Sequence, residues 1–225
     1  MDNTDIGRWE LRFTAFLQLH EQHDDGSHDL GHFQRVWKAA REIDRVEGGA
    51  ADPLILLTAC YFHDLVSLPK NHPERRQASR LSAERTAGIL QSDFPDFPPD
   101  KIDGVRHAIH AHSFSAKVDA LTAEARILQD ADRLEALGAI GLARVFYTAG
   151  QLGQKLFDPG DPLALRREPD DLRFSLDHFQ LKLLKLPALM NTDTGKKMAE
   201  ERADYLRGFL VTIGGELGGV VRGEG

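Results

Sequence analysis

The longest apolar run of the chain, Pro53 to Phe62, ends directly in the doublet His63-Asp64, within "LILLTACYFHDLV". Asp52-Pro53 precedes it, a capping residue followed by proline at the first helical position, so the run predicts a buried helix. A carboxylate at the end of such a helix is costly to bury unless it is paired, hydrogen-bonded or bound to a metal. The doublet alone therefore predicts either a metal site at the end of a core helix or a simple capped helix end, and the rest of the chain has to decide between them.

The rest of the chain carries apolar residues at helical spacing, with no series of alternating strands and hairpin turns. We therefore predict an all-α fold, a single-domain helical bundle over residues 1–213 with a flexible Gly-rich tail over 214–225. The predicted helices begin and end near residues 7–20, 30–46, 53–64, 82–90, 101–112, 123–137, 140–149, 175–190 and 195–213. Asp29 is the expected cap of the second helix.

Composition excludes several classes of protein. The net charge of -7 comes from 28 basic and 35 acidic residues mixed along the chain, which argues against a protein that binds nucleic acid polymers. The apolar run is about half as long as a membrane span, and "MDNTDIGRWE" lacks the features of a signal peptide. We expect a cytoplasmic protein that does not bind membranes, with Cys60 as a small buried hydrophobe. Whether the chain forms a homo-oligomer stays open.

Four segments place metal-binding side chains at or near predicted helix ends, where facing helices of a bundle can bring them together. They carry His32; His63 and Asp64; His107, His110 and His112; and Asp130 and Asp132. Imidazoles combined with carboxylates suit a divalent ion such as manganese, iron, nickel or magnesium better than an ion that prefers thiolates. Such an ion would act as a Lewis acid and activate a bound water as the nucleophile at neutral pH.

The order of these segments resembles the HD-domain superfamily of metal-dependent phosphohydrolases. The likeness is carried by "HDLGHFQRVWKAA", "FHDLVSLPKNHPERRQASRLSAE", "AIHAHSFS" and "ILQDADRLEALGAIGLARVF", and "HFQLKLLKL" with "MNTDTGKKMAEERADYL" extends it to about Leu206. Within the superfamily, the chain is most similar to the bacterial subgroup that includes nucleotide pyrophosphohydrolases. The resemblance implies an all-α bundle with one metal centre.

The resemblance also implies a set of metal ligands, which are His32, His63, Asp64 and Asp132. Asp132 is preferred over Asp130 because it matches the family's "ADxL" pattern. Two residues apart on a helix, the two carboxylates point to nearly opposite faces, so Asp130 is expected to stand behind the ligands or at the surface. By the same resemblance, Asp64 is the catalytic residue that orients the attacking water as general base.

Substrate-binding residues are expected around this centre, because phosphate transfer needs positive charge on the oxygens that gain charge. The candidates are Arg35, Lys70 and Arg76, and the resemblance implies His112 as a further residue that contacts the substrate. Arg35 lies one turn after His32, and a salt bridge to another helix is its alternative role. Lys70 and Arg76 match the family-like basic loop, where solvated surface charge is the alternative. His107 and His110 are either simply hydrogen-bonded or ligands of a second metal.

We thus expect a metal-dependent phosphohydrolase that acts, through a metal-bound water, on a small phosphorylated substrate, a nucleotide above all. The preferred reaction is release of pyrophosphate from a nucleoside triphosphate, and a nucleotide phosphatase is a related form. The expected cofactor is Mn²⁺, with Mg²⁺, Fe²⁺ or Ni²⁺ as alternatives. Two other hypotheses stay open: a catalytically silent module that binds a nucleotide or a partner, and a two-metal oxygenase.

Overall fold

The computed structural model describes residues 3–20, 29–67 and 74–218, and within these ranges the regular structure is helical. The only β contact among them is an isolated bridge between Lys155 and Phe174. In chain order the α-helices are α1 (Asn3–His20), α2 (Leu30–Val46), α3 (Pro53–Phe62), α4 (Ala78–Asp93), α5 (Ile102–His112), α6 (Ala123–Leu134), α7 (Gly138–Gln151), α8 (Asp177–Leu181) and α9 (Asp193–Glu216). The all-α prediction is confirmed. None of these helices is long and apolar enough to cross a membrane.

The chain divides into two compact units, Met1–Asp132 and Arg133–Gly225. The predicted bounds of a single domain over residues 1–213 stay a prediction. The helix α9 continues to Glu216, three residues beyond the predicted end at Ile213. The predicted tail overlaps residues 219–225, which lie outside the described residues.

In the first unit, α3 forms the centre and packs against α1, α2 and α5. Eight of its ten residues are buried, so it is apolar all round rather than amphipathic. Its start is capped as predicted: the Asp52 carboxylate accepts from the N–H groups of Leu54 and Ile55 at 3.0 and 3.1 Å. The ammonium group of Lys101 also binds the Asp52 carboxylate. These contacts fix the helix whose far end carries the His63-Asp64 doublet.

The start of α2 is fixed in a similar way. The Asp29 carboxylate caps it by accepting from the N–H of His32 at 2.9 Å, which confirms the predicted cap. The helix α2 also buries Phe33, Val36 and Ile43. Because the capped turn contains His32, the cap also holds this side chain in place.

The second unit contains α7, α8 and α9, and α7 packs against α9. Rings of Phe146, Phe179 and Phe209 form its apolar cluster, with centroids 5.9 Å apart for Phe146 and Phe209 and 5.8 Å apart for Phe179 and Phe209. Gly138 begins α7 with φ of +67°, a left-handed conformation that favours glycine.

The prediction of one helix over residues 175–190 is wrong. The chain forms α8 over Asp177–Leu181 and then a separate 3₁₀ helix over Leu183–Leu189. Lys182 stands between them with φ of −132° and ψ of −59°, outside the α-helical region. Pro187 lies inside the second segment. Because proline has no N–H to donate, an α-helix through this position would lack a hydrogen bond, which favours the break.

Candidate metal centre

The side chain of His63 is held at the end of α3. It is the C-terminal capping residue of α3 and is fully buried. Its Nδ1 lies 3.0 Å from the carbonyl oxygen of Cys60. A carbonyl oxygen only accepts, so Nδ1 must carry a proton and donate it. In the neutral ring, the lone pair therefore resides on Nε2 and points away from α3.

His32 approaches this lone pair from the first turn of α2. It is also fully buried, and its Nε2 lies 3.2 Å from the Nε2 of His63. The capped start of α2 brings it there. Two lone pairs facing each other at this distance would repel, so a proton on one of the two nitrogens or a metal ion must lie between them.

Asp132 completes a first group of three. Its Oδ1 lies 3.6 Å from the Nε2 of His32 and 3.7 Å from the Nε2 of His63, and its side chain is 30% exposed. One ligand atom from each of these residues lies within 4.8 Å of the others. Asp130 does not join this group; it is fully buried, so it is not a surface acid. The preference for Asp132 over Asp130 agrees with this geometry.

Asp64 and His112 form a second group that shares His63. Asp64 places Oδ2 3.6 Å from the Nε2 of His63 and Oδ1 3.3 Å from the Nε2 of His112. His112 ends α5, and its Nδ1 donates to the carbonyl of Ile109 at 2.6 Å. The four predicted ligands are thus distributed over two groups of three that share His63, and His112 is the fifth member. Asp64 stands between His63 and His112.

The rings of His63 and His112 are oriented by hydrogen bonds to the backbone carbonyls of Cys60 and Ile109. The sequence analysis did not predict these two contacts. In both cases the acceptor lies three residues before a histidine at a helix end. That spacing is the signal that could have identified them. A hydrogen bond from one ring nitrogen to a carbonyl oxygen is a common way to direct the other nitrogen toward a metal.

The residues fit a divalent ion. Ligand nitrogens and oxygens lie about 2.0–2.2 Å from such an ion, so neighbouring ligand atoms stand about 3 Å apart. The distances of 3.2, 3.6 and 3.7 Å within the first group are slightly larger and close to that arrangement. Buried imidazoles with carboxylates open to solvent suit manganese, iron or nickel, and no cysteine sulfur joins the group in the described part of the chain.

The charges of the group also favour a cation. Burial lowers the pKa of His63, but the Asp64 and Asp132 carboxylates outweigh this and raise it to about 9. Burial raises the pKa of Asp132, but the hydrogen bond from His63 and the charges of His63 and His32 hold it well below its usual range. At neutral pH and without metal, a proton therefore lies between the His63 ring and the Asp132 carboxylate. A bound metal ion would displace this proton.

The predicted substrate-binding residues lie at different places around the centre. Arg35 is half-buried on α2. Its guanidinium and the Asp29 carboxylate both lie beside Gly31: a Cβ added at Gly31 would stand 3.1 Å from the guanidinium and 3.2 Å from the carboxylate. Arg76 is exposed in the 3₁₀ turn Arg75–Gln77, which packs against a second 3₁₀ turn, Phe114–Ala116, directly after His112. Lys70 lies outside the described residues.

The two remaining histidines of α5 are not part of the centre. The Nε2 of His107 accepts from the N–H of Leu121 at 3.2 Å. His110 is half-buried, and burial together with the charge of Arg80 lowers its pKa. Neither belongs to the groups of potential ligands formed by the described residues. The hydrogen-bonded role is thus favoured over a second metal for His107.

Known proteins are similar to this chain in sequence and in fold. The model of the HD domain family matches residues 29–137, a range that contains all the candidate ligands. The protein YpgQ of Bacillus subtilis is 31% identical over 201 residues, which cover 88% of each chain. A crystal structure of YpgQ in complex with ADP superimposes with a TM-score of 0.69 at 30% identity, covering 95% of this chain and 98% of that one. A structure of an HD-superfamily hydrolase from Bacillus thuringiensis gives a TM-score of 0.71 at 29% identity, with the same coverage.

Proposed function

The chain belongs to the HD domain family, and we propose that it is a divalent-metal-dependent phosphohydrolase whose substrate is a nucleotide. The observation that carries the proposal is the convergence of the His32 and His63 Nε2 atoms with the Asp132 carboxylate, while His63 Nδ1 is held by a carbonyl. A binding module without catalysis has no need for such a group. The preferred reaction is release of pyrophosphate from a nucleoside triphosphate.

His32, His63 and Asp132 would hold the ion, with Asp64 beside them as a fourth ligand or as the base. An ion bound there supplies Lewis acidity toward phosphate oxygens and lowers the pKa of a water that contacts it. Mn²⁺ is the proposed ion because the ligand set combines imidazoles and carboxylates.

Asp64 would take a proton from the attacking water. Its side chain is 24% exposed, whereas His63 and His112 are 0% and 6% exposed, so water reaches the carboxylate more readily than the rings. After Oδ1 accepts the proton, the Nε2 of His112 lies 3.3 Å away, with Nδ1 already engaged by Ile109. The Nε2 of His112 can therefore accept this proton from Asp64.

Positive charge for the phosphate groups would come from the turn that contains Arg75 and Arg76, both exposed. The contact of this turn with the 3₁₀ turn after His112 places it near the catalytic end of α5. Arg76 in particular would stabilise the charge that develops on the phosphate oxygens. The complex of the similar protein YpgQ with ADP supports a nucleotide as the ligand.

The test is a panel of nucleoside mono-, di- and triphosphates incubated with the protein and Mn²⁺, with Mg²⁺, Fe²⁺ and Ni²⁺ in parallel. Phosphate and pyrophosphate release are measured separately, so the bond that is cleaved is identified. Pyrophosphate from triphosphates supports the preferred reaction, and phosphate alone supports a nucleotide phosphatase. No product with any of the four metals would overturn the proposal.

A two-metal oxygenase is the second candidate, because His63, Asp64 and His112 form a second group with metal-binding geometry. That function needs two irons per chain. Metal analysis of the purified protein distinguishes the two: one ion per chain supports the phosphohydrolase, and two irons with oxygen consumption support the oxygenase.

A further inference from the structure

A cleft separate from the metal ligands opens at the end of α5. It has a volume of about 280 Å³ and is lined by Ser113, Phe114, Lys117, Val118, Asp119 and Gln129. All six residues belong to the first compact unit. We propose that this cleft binds the nucleobase of the substrate, an inference that rests on the proposed nucleotide function.

Two residues that line the cleft are close in the chain to residues of the metal centre. Ser113 follows His112, and Gln129 lies on α6 one turn before Asp132. The Gln129 side-chain amide donates to the carbonyl of Ala111 at 3.0 Å, which ties α6 to the end of α5. A ligand in the cleft is thus a neighbour of one at the metal centre. A nucleotide needs two such neighbouring sites, because its ribose separates the base from the phosphates.

Phe114 gives the cleft an aromatic surface. It is 76% exposed, although an exposed phenyl ring is unfavourable in water. No ring contact involves it among the described residues, whereas most other phenylalanines of the first unit pack in the core. Base stacking on an aromatic side chain is tolerant of base identity, since every base has a π-face. An exposed ring one residue from Ser113 is thus suited to hold a base beside the centre.

The charges of the lining favour a base over a phosphate. Lys117 and Asp119 carry opposite charges, so the lining residues have no net charge. A phosphate site would need excess positive charge, which lies instead on the turn with Arg75 and Arg76. The ammonium group of Lys117 can donate hydrogen bonds and the carboxylate of Asp119 can accept them. The lining can therefore bind acceptors and donors on the edge of a base.

The backbone at Lys117 is unusual in the same segment. Its φ of 54° and ψ of 39° are left-handed, a conformation costly for a residue with a Cβ. Such conformations occur preferentially where a chain contacts a ligand. The observation agrees with a ligand-binding role for the segment from Ser113 to Asp119.

The test compares Phe114→Ala with Phe114→Tyr, which keeps the ring, and with Leu121→Ala, which removes another exposed apolar side chain of 72% exposure outside the cleft. The affinities for ADP and for inorganic pyrophosphate are measured by calorimetry with Mn²⁺ present. We expect Phe114→Ala to weaken ADP binding about 5-fold to 150-fold, the worth of one base stack, and to leave pyrophosphate binding unchanged. Phe114→Tyr and Leu121→Ala should bind ADP as the unchanged protein does.

Equal ADP affinity in Phe114→Ala and the unchanged protein would overturn the base site, as would an equal loss for ADP and pyrophosphate. These outcomes are separable from failure of the proposed function. If ADP binding depends on Phe114 but no triphosphate is hydrolysed, the base site stands and the hydrolase proposal fails. If triphosphates are hydrolysed with the same KM in Phe114→Ala, the hydrolase stands and the base site fails. If the unchanged protein does not bind ADP, the base site fails.

Discussion

The Nε2 atoms of His32 and His63 lie 3.2 Å apart, although one ring belongs to the first turn of α2 and the other to the end of α3. Both rings are fully buried, and the Nδ1 of His63 donates to the Cys60 carbonyl. A proton or a metal ion must therefore lie between these two nitrogens. This competition gives the centre a measurable dependence on pH.

Metal affinity should rise with pH. Without metal, the pKa of His63 is raised to about 9, so a metal ion must displace a proton from its Nε2 at neutral pH. Each pH unit below that pKa costs about tenfold in apparent affinity. Titration with Mn²⁺ at pH 7, 8 and 9 should show this rise, with release of about one proton per ion at pH 7 and about half a proton per ion at pH 9. An affinity independent of pH would contradict the assignment of His63 as a ligand.

The metal-free protein should show the opposite trend in stability. The folded-state pKa of His63, about 9, lies above its ordinary value of 6.5. A raised pKa stabilises the fold fully below pH 6.5, and this stabilisation is lost as pH rises through about 9. Urea unfolding in the presence of a chelator should give a lower free energy of unfolding at pH 9 than at pH 6.5. The chelated His63→Gln variant should lose less stability over the same range.

The cap of α3 should be a measurable source of stability. Asp52→Ala removes two hydrogen bonds to the first turn of α3 and the contact with Lys101. We expect a loss of about 1–2 kcal/mol in the free energy of unfolding, measured by denaturant titration. Asp96→Ala breaks only an exposed ion pair with Arg12 and should cost about 0–1 kcal/mol. Equal losses in both variants would show that the Asp52 cap has no special role.

The caps explain why much of the fold could be predicted. Asp29 and Asp52-Pro53 mark the starts of α2 and α3, and the apolar run marks the buried helix, because these signals are local. The break at Lys182 was not predictable from periodicity, since the apolar pattern continues across it. In the site, the residues that meet at helix ends were predictable. The contact of Asp64 with His112 was not, because it depends on how α5 packs beside α3.

Two histidines of α5, His112 in the centre and His110 outside it, allow a direct comparison of their effects on activity. His112→Gln should lower kcat by about a hundredfold or more, because the group that receives the proton from Asp64 is lost, while the metal content stays unchanged. His110 lies on the same helix but outside the centre, so His110→Gln should keep both the kcat and the metal content of the unchanged protein. Kinetics and metal analysis of the two variants decide the point. Loss of the metal in His112→Gln would show that His112 is a ligand instead.

Arg76 should act on substrate binding. Arg76→Gln removes a positive charge proposed to contact phosphate oxygens, and loss of one charged hydrogen bond corresponds to about a tenfold or greater rise in KM. Arg207→Gln changes an exposed arginine of α9 that pairs with Asp204 and serves as the control for net charge. A similar rise in KM for both variants would mean that long-range charge, rather than contact with phosphate, is responsible.

Product release before and after metal removal, in the unchanged protein and in Asp64→Ala, decides whether this centre performs the reaction. We predict that a nucleoside triphosphate is hydrolysed with Mn²⁺, that chelation stops the reaction and that added Mn²⁺ restores it. Asp64→Ala should stay inactive under every condition. Hydrolysis that persists after chelation, or full activity of Asp64→Ala, would contradict the claim that this centre performs the reaction.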